Sequence, residues 1–501
     1  MPTSTRHRVR ISVNATQVTG VVNPEFVSYT LDWWLYDRNH PGWDVTTSVL
    51  TIDLNSSRLV SAAAGLAPAF LRIGGSRADN IIYHFDPNDD NEREQCSLHP
   101  KACLTIDRWD EILNFASKVQ ARVVFTLNYY GYTNKDTMDW DTSKIFKLLN
   151  HTVTQHSSGV LYGIELGNEP LHKNNKVKNL ERYANSYGAL RMMIDTLWYD
   201  VPIHLKPKLM GPASTRPGKK FTEGLTAVGR YLDVVTYHQY LGDGEDQNLP
   251  KKVMRSDFFH LRKIVDEAAF QASQTLLNNS AQLWVGEGAL AYHSGQDGLT
   301  NTIASSFWYA HYLGETATSA PFSHSVFCRQ TLTGGYYELL DHQANYEPNP
   351  DYWTALLWKK LMGTVALGVE DFLPGADALL VHAFCARPSA YAKRGDVSVL
   401  YINIDKDVSF DAITNISDHS NLSRNRSDFL LEPHTTPRLK SKKVRLNGEL
   451  LALDEVGNLP FLMPQKRRTF DPIIVPPLSL LFSVIHNVSA PSCLSAYSSL
   501  S

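Results

Sequence analysis

One rhythm dominates the first three quarters of this 501-residue chain: a short β-branched run, a polar loop, then apolar residues at helical spacing. Strand-like runs fall at 26–31, 69–73, 122–127, 161–166, 208–211, 232–237, 282–285 and 325–329. Helical periodicity is legible at 109–119, 142–156, 179–197, 258–277, 302–313 and 352–362. Eight strand–crossover units over about 330 residues fit an α/β architecture of the closed (β/α)8 barrel type; a doubly wound sheet usually stops at about five to seven strands. After about residue 370 the rhythm changes. The runs 378–384, 397–404, 444–446 and 478–485 alternate like the strands of a β-sandwich, and the run 9–13 is a strand without a barrel partner. The expected organisation is an N-terminal strand within 1–20 that joins the sandwich, a barrel over 21–370 and a β-sandwich over 371–501.

Composition narrows the class. The chain has 48 Lys+Arg against 51 Asp+Glu, a net charge of −3, and 43% hydrophobic residues. That excludes a disordered chain and a surface built wholly to hold nucleic acid. No apolar run is long enough to span a bilayer; the longest, 473–485, is broken by Pro476 and Pro477. A monomer without cofactor or metal is expected.

Asn-X-Ser/Thr sequons occur at Asn14, Asn55, Asn150, Asn278, Asn415, Asn421, Asn425 and Asn487, about twice what ordinary composition produces. Cys96 and Cys103 bracket a turn-like hexapeptide, and Cys385 and Cys493 bracket the C-terminal region, as disulfides would. Cys328 lies in an apolar run and reads as buried and inert. The first thirty residues lack the apolar core of a signal peptide. Sequons and cysteines together point to a secreted, extracellular or lysosomal/vacuolar glycoprotein whose signal segment is not in this numbering.

In a barrel of this kind the C-terminal ends of the strands carry the chemistry. The fourth ends in Glu165-Leu166-Gly167-Asn168-Glu169-Pro170, the sixth in Tyr237-His238-Gln239-Tyr240 and the seventh in Trp284-Val285-Gly286-Glu287-Gly288. Carboxylates after strands four and seven would face each other across the mouth. Hydrolysis of a glycosidic bond requires such a pair, one protonating the leaving oxygen while the other attacks the anomeric carbon or activates water. Their surroundings must hold one protonated and the other ionised. Asn168 can donate to a sugar hydroxyl, and the Tyr–His cluster can orient the nucleophile. A lone Glu after a strand is ordinarily a solvated loop residue, Glu165 reads as a hydrogen-bonded structural carboxylate, and His238 alone as a satisfied loop histidine. The pairing lifts Glu169 and Glu287 out of that reading.

The arrangement resembles the retaining glycosidases with acid/base and nucleophile Glu after strands four and seven. More of the chain is similar to glycoside hydrolase family 79, the heparanases and heparanase-like β-glucuronidases. The similar stretches include Thr30-Leu31-Asp32-Trp33-Trp34, Leu71-Arg72-Ile73-Gly74-Gly75-Ser76, Gly163 to Glu169, Val235 to Tyr240, Trp284 to Glu287, Cys328-Arg329-Gln330-Thr331-Leu332, Asn349 to Trp353 and Leu356 to Leu361. They run in order over residues 20–493, with wording closer to plant-type members.

The resemblance implies Glu169 as acid/base, Glu287 as nucleophile, and Asp32, Ser76, Asn168, His238, Tyr240, Tyr292, Gly335 and Tyr337 around a glucuronate. Tyr337 and amides at Gly335 would bind the sugar carboxylate. Where the family has a glycine-rich loop after the nucleophile, this chain has Tyr292-His293-Ser294-Gly295, so His293 could narrow the pocket or add a cation. The family's cationic substrate loop corresponds to Arg216-Pro217-Gly218-Lys219-Lys220, which could equally be a solvated turn. The short acidic region 80–106 implies a single uncleaved chain. The expected activity is that of a retaining exo-β-glucuronidase on glycans or small glucuronides. The alternatives are an endo-β-glucuronidase acting on heparan sulfate-type polysaccharide and a non-catalytic carbohydrate-binding protein on the same fold.

Other motifs fail on chemistry. Gly286 to Ala291 mimics a dinucleotide fingerprint, but Glu287 would face a pyrophosphate. Gly211 to Lys219 has the wrong P-loop spacing. The acidic run at 86–90 lacks the glycine and distal glutamate of a calcium loop. HExxH, paired CxxC and GxSxG are absent from the sequence.

Overall fold

The computed structural model describes residues 6–34, 42–85, 88–172, 177–278, 280–318, 324–372, 377–417 and 425–495. Eight parallel strands close into a barrel: Val27–Asp32, Ala69–Gly74, Ala121–Leu127, Leu161–Leu166, Lys208–Ser214, Val234–Asp243, Gln282–Tyr292 and Val326–Arg329, the last pairing back to the first through Phe327 and Val27. Each runs within a residue or two of its sequence-derived span at its start. Strands six and seven extend further at their C-terminal ends, to Asp243 and Tyr292.

The barrel interior is layered. Phe70, Val124, Tyr162, Met210, Val234, Trp284, Val326 and Cys328 form a closed apolar cluster. Side chains alternate along a strand, so the residue two positions on returns to the same face. Two positions beyond Phe70, Val124 and Val234 come Arg72, Thr126 and Thr236, and the apolar floor gives way to a polar layer beneath the mouth. Amphipathic helices wrap the outside, among them Ile106–Lys118, Ser143–Gln155 and Leu180–Leu197. Thr105 and Asn179 cap the first and last by accepting the backbone N–H groups of Arg108 and Arg182.

The C-terminal region is one continuous ladder of eleven strands rather than two separately paired sheets. It begins at Met362, ahead of the boundary read at residue 371, because the helix Pro350–Leu361 passes directly into the strand Met362–Phe372 without an intervening loop. The N-terminal strand Arg6–Val21 lies inside this sheet, antiparallel to Met362–Phe372 and parallel to Ser409–Ile416. One face holds its own core around Val13, Val399 and Phe410, while Phe384, Leu400 and Phe482 join the core that continues into the barrel.

Disulfides join Cys96 to Cys103 and Cys385 to Cys493, and Cys328 is free and buried. Of the sequon asparagines, Asn55, Asn150, Asn415, Asn425 and Asn487 are exposed and Asn14 is half-buried; Asn421 and the side chain of Asn278 lie outside the described residues. The acidic segment after residue 80 forms the helix Asp90–Leu98 beside a two-stranded ladder, Ile82–His84 with Cys103–Thr105. Among the described residues no helix is long and apolar enough to cross a membrane.

Cys385–Cys493 closes a separation of 108 residues and Cys96–Cys103 one of 7. In the chain-entropy account the longer loop is worth up to about 4.7 kcal/mol and the shorter one less. Replacing Cys385 and Cys493 by Ser should therefore lower the urea midpoint more than replacing Cys96 and Cys103.

Candidate active site

At the end of strand four the chain turns through Gly167, whose φ of +77° is left-handed, and Glu169 follows at φ +49°. Asp79 fixes this turn by accepting backbone N–H groups from Asn168 at 3.2 Å and Tyr129 at 3.0 Å. At strand seven, Val285 is opposite Tyr237 but Glu287 is opposite His238, so Gly286 is an extra residue in the ladder. A bulge of this kind re-aims the side chain that follows it. The two local irregularities converge: oxygens of Glu169 and Glu287 and a ring nitrogen of His238 all lie within 4.8 Å of one another.

Arg72, projecting inward from strand two, ties the site together. Its side chain is 1% exposed. Nε donates to Glu165 at 2.8 Å, Nη1 to Glu287 at 2.8 Å, and Nη2 to Asn168 Oδ1 at 3.1 Å. Nη2 also reaches His238 Nε2 at 3.2 Å. A guanidinium only donates, so Nε2 is the acceptor there, and the ring proton sits on Nδ1, 2.9 Å from Glu169 Oε1. Glu165 is fully buried and also accepts from Thr126 and Thr236, each at 2.9 Å. It is a structural counter-ion, in keeping with its position inside the strand.

Glu287 is held ionised. Burial pushes its carboxyl up, but the charge of Arg72, with hydrogen bonds from Tyr240 and Arg72, holds the pKa below the ordinary glutamate value. Tyr240 donates to Oε1 at 2.5 Å, and burial keeps that phenol protonated far beyond its usual range.

Asp32 goes the other way. Burial and the charge of Glu287 raise its pKa to about 8, against the lowering effects of Gln330 and Arg72. Gln330 donates to its Oδ2 at 2.9 Å, and buried Oδ1 has no hydrogen-bond partner among the described residues. Gly75 makes this packing possible: a Cβ there would stand 2.4 Å from Asp32 Oδ2.

Tyr337 is buried, 3.4 Å from the Gln330 amide, with its ring edge-on to Trp43; Trp43 in turn stacks on Trp34 at 4.8 Å and donates to Ser294 Oγ at 2.8 Å. The structure thus gathers Asp32, Asn168, Glu169, His238, Tyr240, Glu287 and Tyr337 at one mouth. Ser76 is exposed beside them. Tyr292 stands at the rim, 38% exposed, donating to Asp243 at 3.0 Å. The expectation for Gly335 needs correction: its amide already donates to the Gly42 carbonyl at 2.7 Å, so that N–H is committed.

His293 does not point inward as a pocket cation; it pairs with Asp243 at 2.9 Å and lies 3.7 Å from Glu245. Its φ of +53° and that of Ser294, +65°, are nonetheless the left-handed values a glycine loop would take. Of the basic stretch, Arg216 is exposed close enough to Tyr292 to influence its hydroxyl, while Lys219 and Lys220 open the helix Lys219–Val228, with Lys219 3.8 Å from Glu223.

Sequence reasoning did not assign Arg72 or Gln330 to the site. The available signal was a charge in the otherwise apolar strand Ala69–Gly74, since a buried arginine must be paired.

The model of the "Glycosyl hydrolase family 79, N-terminal domain" matches residues 8–314. Baicalin-beta-D-glucuronidase of Scutellaria baicalensis is 32% identical, over 95% of this chain and 91% of its own. Heparanase-like protein 1 of Arabidopsis thaliana is 31% identical (97% and 95%), and heparanase of Bos taurus 27% (95% and 90%). Among solved structures, an arabinofuranosidase superposes with a TM-score of 0.63 at 12% identity, covering 95% of this chain and all of its own, a likeness of fold.

Two outcomes follow from this geometry. Arg72→Met leaves Glu165 buried without its counter-charge and should cost roughly 3–5 kcal/mol of unfolding free energy by denaturant titration. In wild type, kcat/KM should hold on acidification until the pH falls through the lowered pKa of Glu287, below the usual ~4.3. Tyr240→Phe removes a bond that favours the carboxylate, so the acid limb should move to higher pH.

Proposed function

The chain belongs to glycosyl hydrolase family 79, and we propose that it is a retaining β-glucuronidase acting from the chain end of glycans or on small glucuronides. It is a glycoside hydrolase, and its substrates are carbohydrates. The observation that supports the mechanism is the closeness of the two carboxylates: an oxygen of Glu169 and one of Glu287 lie within 4.8 Å, in keeping with the about 5–5.5 Å between the carboxyl groups of retaining enzymes.

In the proposed sequence, ionised Glu287 attacks the anomeric carbon while Glu169 delivers a proton to the leaving oxygen, giving a covalent glycosyl–Glu287 ester and free aglycone. Glu169, now ionised, takes a proton from water as that water attacks the same carbon, and Glu287 leaves as a carboxylate. Arg72 and Tyr240 hold Glu287 in place. His238 orients Glu169 through Nδ1.

Recognition of a glucuronate rests on Tyr337, a buried donor beside Gln330, and on loop 293–295, whose backbone takes left-handed values. Asp32 Oδ1 is available for a ring hydroxyl. The relatives named for glucuronidase and heparanase activity support this class of substrate.

The rim favours a small or weakly charged aglycone. Asp243 and Glu245 stand beside Tyr292 and His293, and Trp34 and Trp43 form an aromatic wall. The endo-acting reading on heparan sulfate draws on one observation, the exposed Arg216 near Tyr292. The sequons and disulfides support a secreted or lysosomal/vacuolar location.

Glu169→Gln should lose about 10²–10⁴-fold on a glycan substrate, and less on an aryl glucuronide whose leaving group needs no proton. NMR of the first-formed sugar should show retention of the β-anomer. Inversion would remove Glu287 from the nucleophile role. Rapid shortening of heparan sulfate, with slow release of p-nitrophenol from its glucuronide, would favour the endo-acting reading.

A further inference from the structure

Outside the active site, on the barrel's outer surface, two neighbouring helices bring three metal-ligand side chains to one point. Asp110 projects from the helix Ile106–Lys118. His151 lies on the helix Ser143–Gln155, and His156 is that helix's C-cap residue. Nε2 of His151 is 2.7 Å from Asp110 Oδ1, and Nε2 of His156 is 2.6 Å from the same oxygen. Two imidazoles from one helix end thus converge on one carboxylate oxygen of the next helix. From this geometry we propose that Asp110, His151 and His156 form a zinc-binding site that staples the two helices.

The ligand chemistry fits. Two neutral imidazoles and one carboxylate make a mixed nitrogen–oxygen set of net charge −1, suited to Zn²⁺ and poorly suited to Ca²⁺ or Mg²⁺, which prefer oxygen ligands. The geometry also fits. Ligands on one tetrahedral zinc stand roughly 3.3 Å apart, given metal–ligand distances near 2.0–2.1 Å. The two nitrogen–oxygen separations, 2.7 and 2.6 Å, need to open by less than about 1 Å to admit the ion, and the two nitrogens lie within 4.8 Å of each other. The rings are already splayed, with centroids 6.1 Å apart and planes at 61°.

Side-chain exposures of 33% for Asp110, 26% for His151 and 9% for His156 leave one side open to water as a fourth ligand. The backbone beneath is fixed, because Trp109 Nε1 donates to Thr152 Oγ1 at 2.9 Å, joining the immediate neighbours of Asp110 and His151. None of the three residues belongs to the catalytic constellation, so the proposal stands apart from the glucuronidase reading.

The test uses the full chain, stripped with EDTA, dialysed against ZnCl₂ or CaCl₂, freed of loose ion and assayed for metal by mass spectrometry. Wild type is expected to retain one more zinc equivalent than Asp110→Asn or His156→Asn, to gain thermal stability on zinc addition, and to retain no calcium. The Asp110→Asn side chain keeps its size and its acceptor oxygen, so it should fold; His151→Gln is a second reporter. Each substitution should weaken zinc binding by more than about tenfold, the scale seen even for loss of an outer partner. Hydrolysis of an aryl glucuronide by the metal-free variants should match metal-free wild type, showing that the fold is intact. Equal zinc content in wild type and variants, no retained zinc in wild type, or retention of calcium instead would overturn the site.

Discussion

Everything at the mouth of this barrel hangs on one guanidinium. Arg72 is almost wholly removed from water, yet its nitrogens engage Glu165, Glu287, Asn168 and His238. Each contact fixes a different element: strand four through Glu165, the turn after it through Asn168, strand six through His238 and strand seven through Glu287. A lysine could not span this set, because its ammonium is a single point whereas the guanidinium is a rigid fork of five donors. Such a buried charge is costly to desolvate and is tolerated only where its partners return the loss. The polar layer above the apolar floor of the barrel supplies those partners.

The same crowding separates three carboxylic acids by role. Glu287 has the guanidinium and the Tyr240 phenol and stays ionised. Asp32, with one amide donor and an unfavourable neighbour in Glu287, holds its proton to about pH 8. Glu165 is saturated by Arg72 and two threonine hydroxyls and is spent on structure. Equivalent groups thus acquire unlike chemistry from partners a few ångströms away.

Much of this was legible in the sequence. The eight barrel strands could be read because each is a short, largely apolar run followed by a polar loop and then a helical stretch, and the glutamates after strands four and seven because strand ends are where a barrel exposes chemistry. Arg72 was harder, since a charge in an apolar strand has meaning only once its partners in three other strands are known. Gly335 shows a different limit: whether a backbone amide is free depends on which loop carbonyl folds against it, and Gly42 leaves no local mark. The sheet boundary at Met362 was hidden because no turn separates helix from strand there. Lys219 and Lys220 read as a loop because Pro217 and Gly218 precede them, yet those residues introduce a helix.

The N-terminal strand has a consequence for biosynthesis. Its partners, Met362–Phe372 and Ser409–Ile416, are translated some 340 to 410 residues after it. At about 5–20 residues per second, that leaves the strand waiting roughly 20–80 s for its place. During that interval an alternating strand with Val9, Ile11 and Val13 on one face is an invitation to intermolecular pairing. Arg6, Arg8 and Arg10 occupy the intervening positions and remain exposed in the finished sheet. The positive charge of one face protects the nascent chain until the other face can be buried.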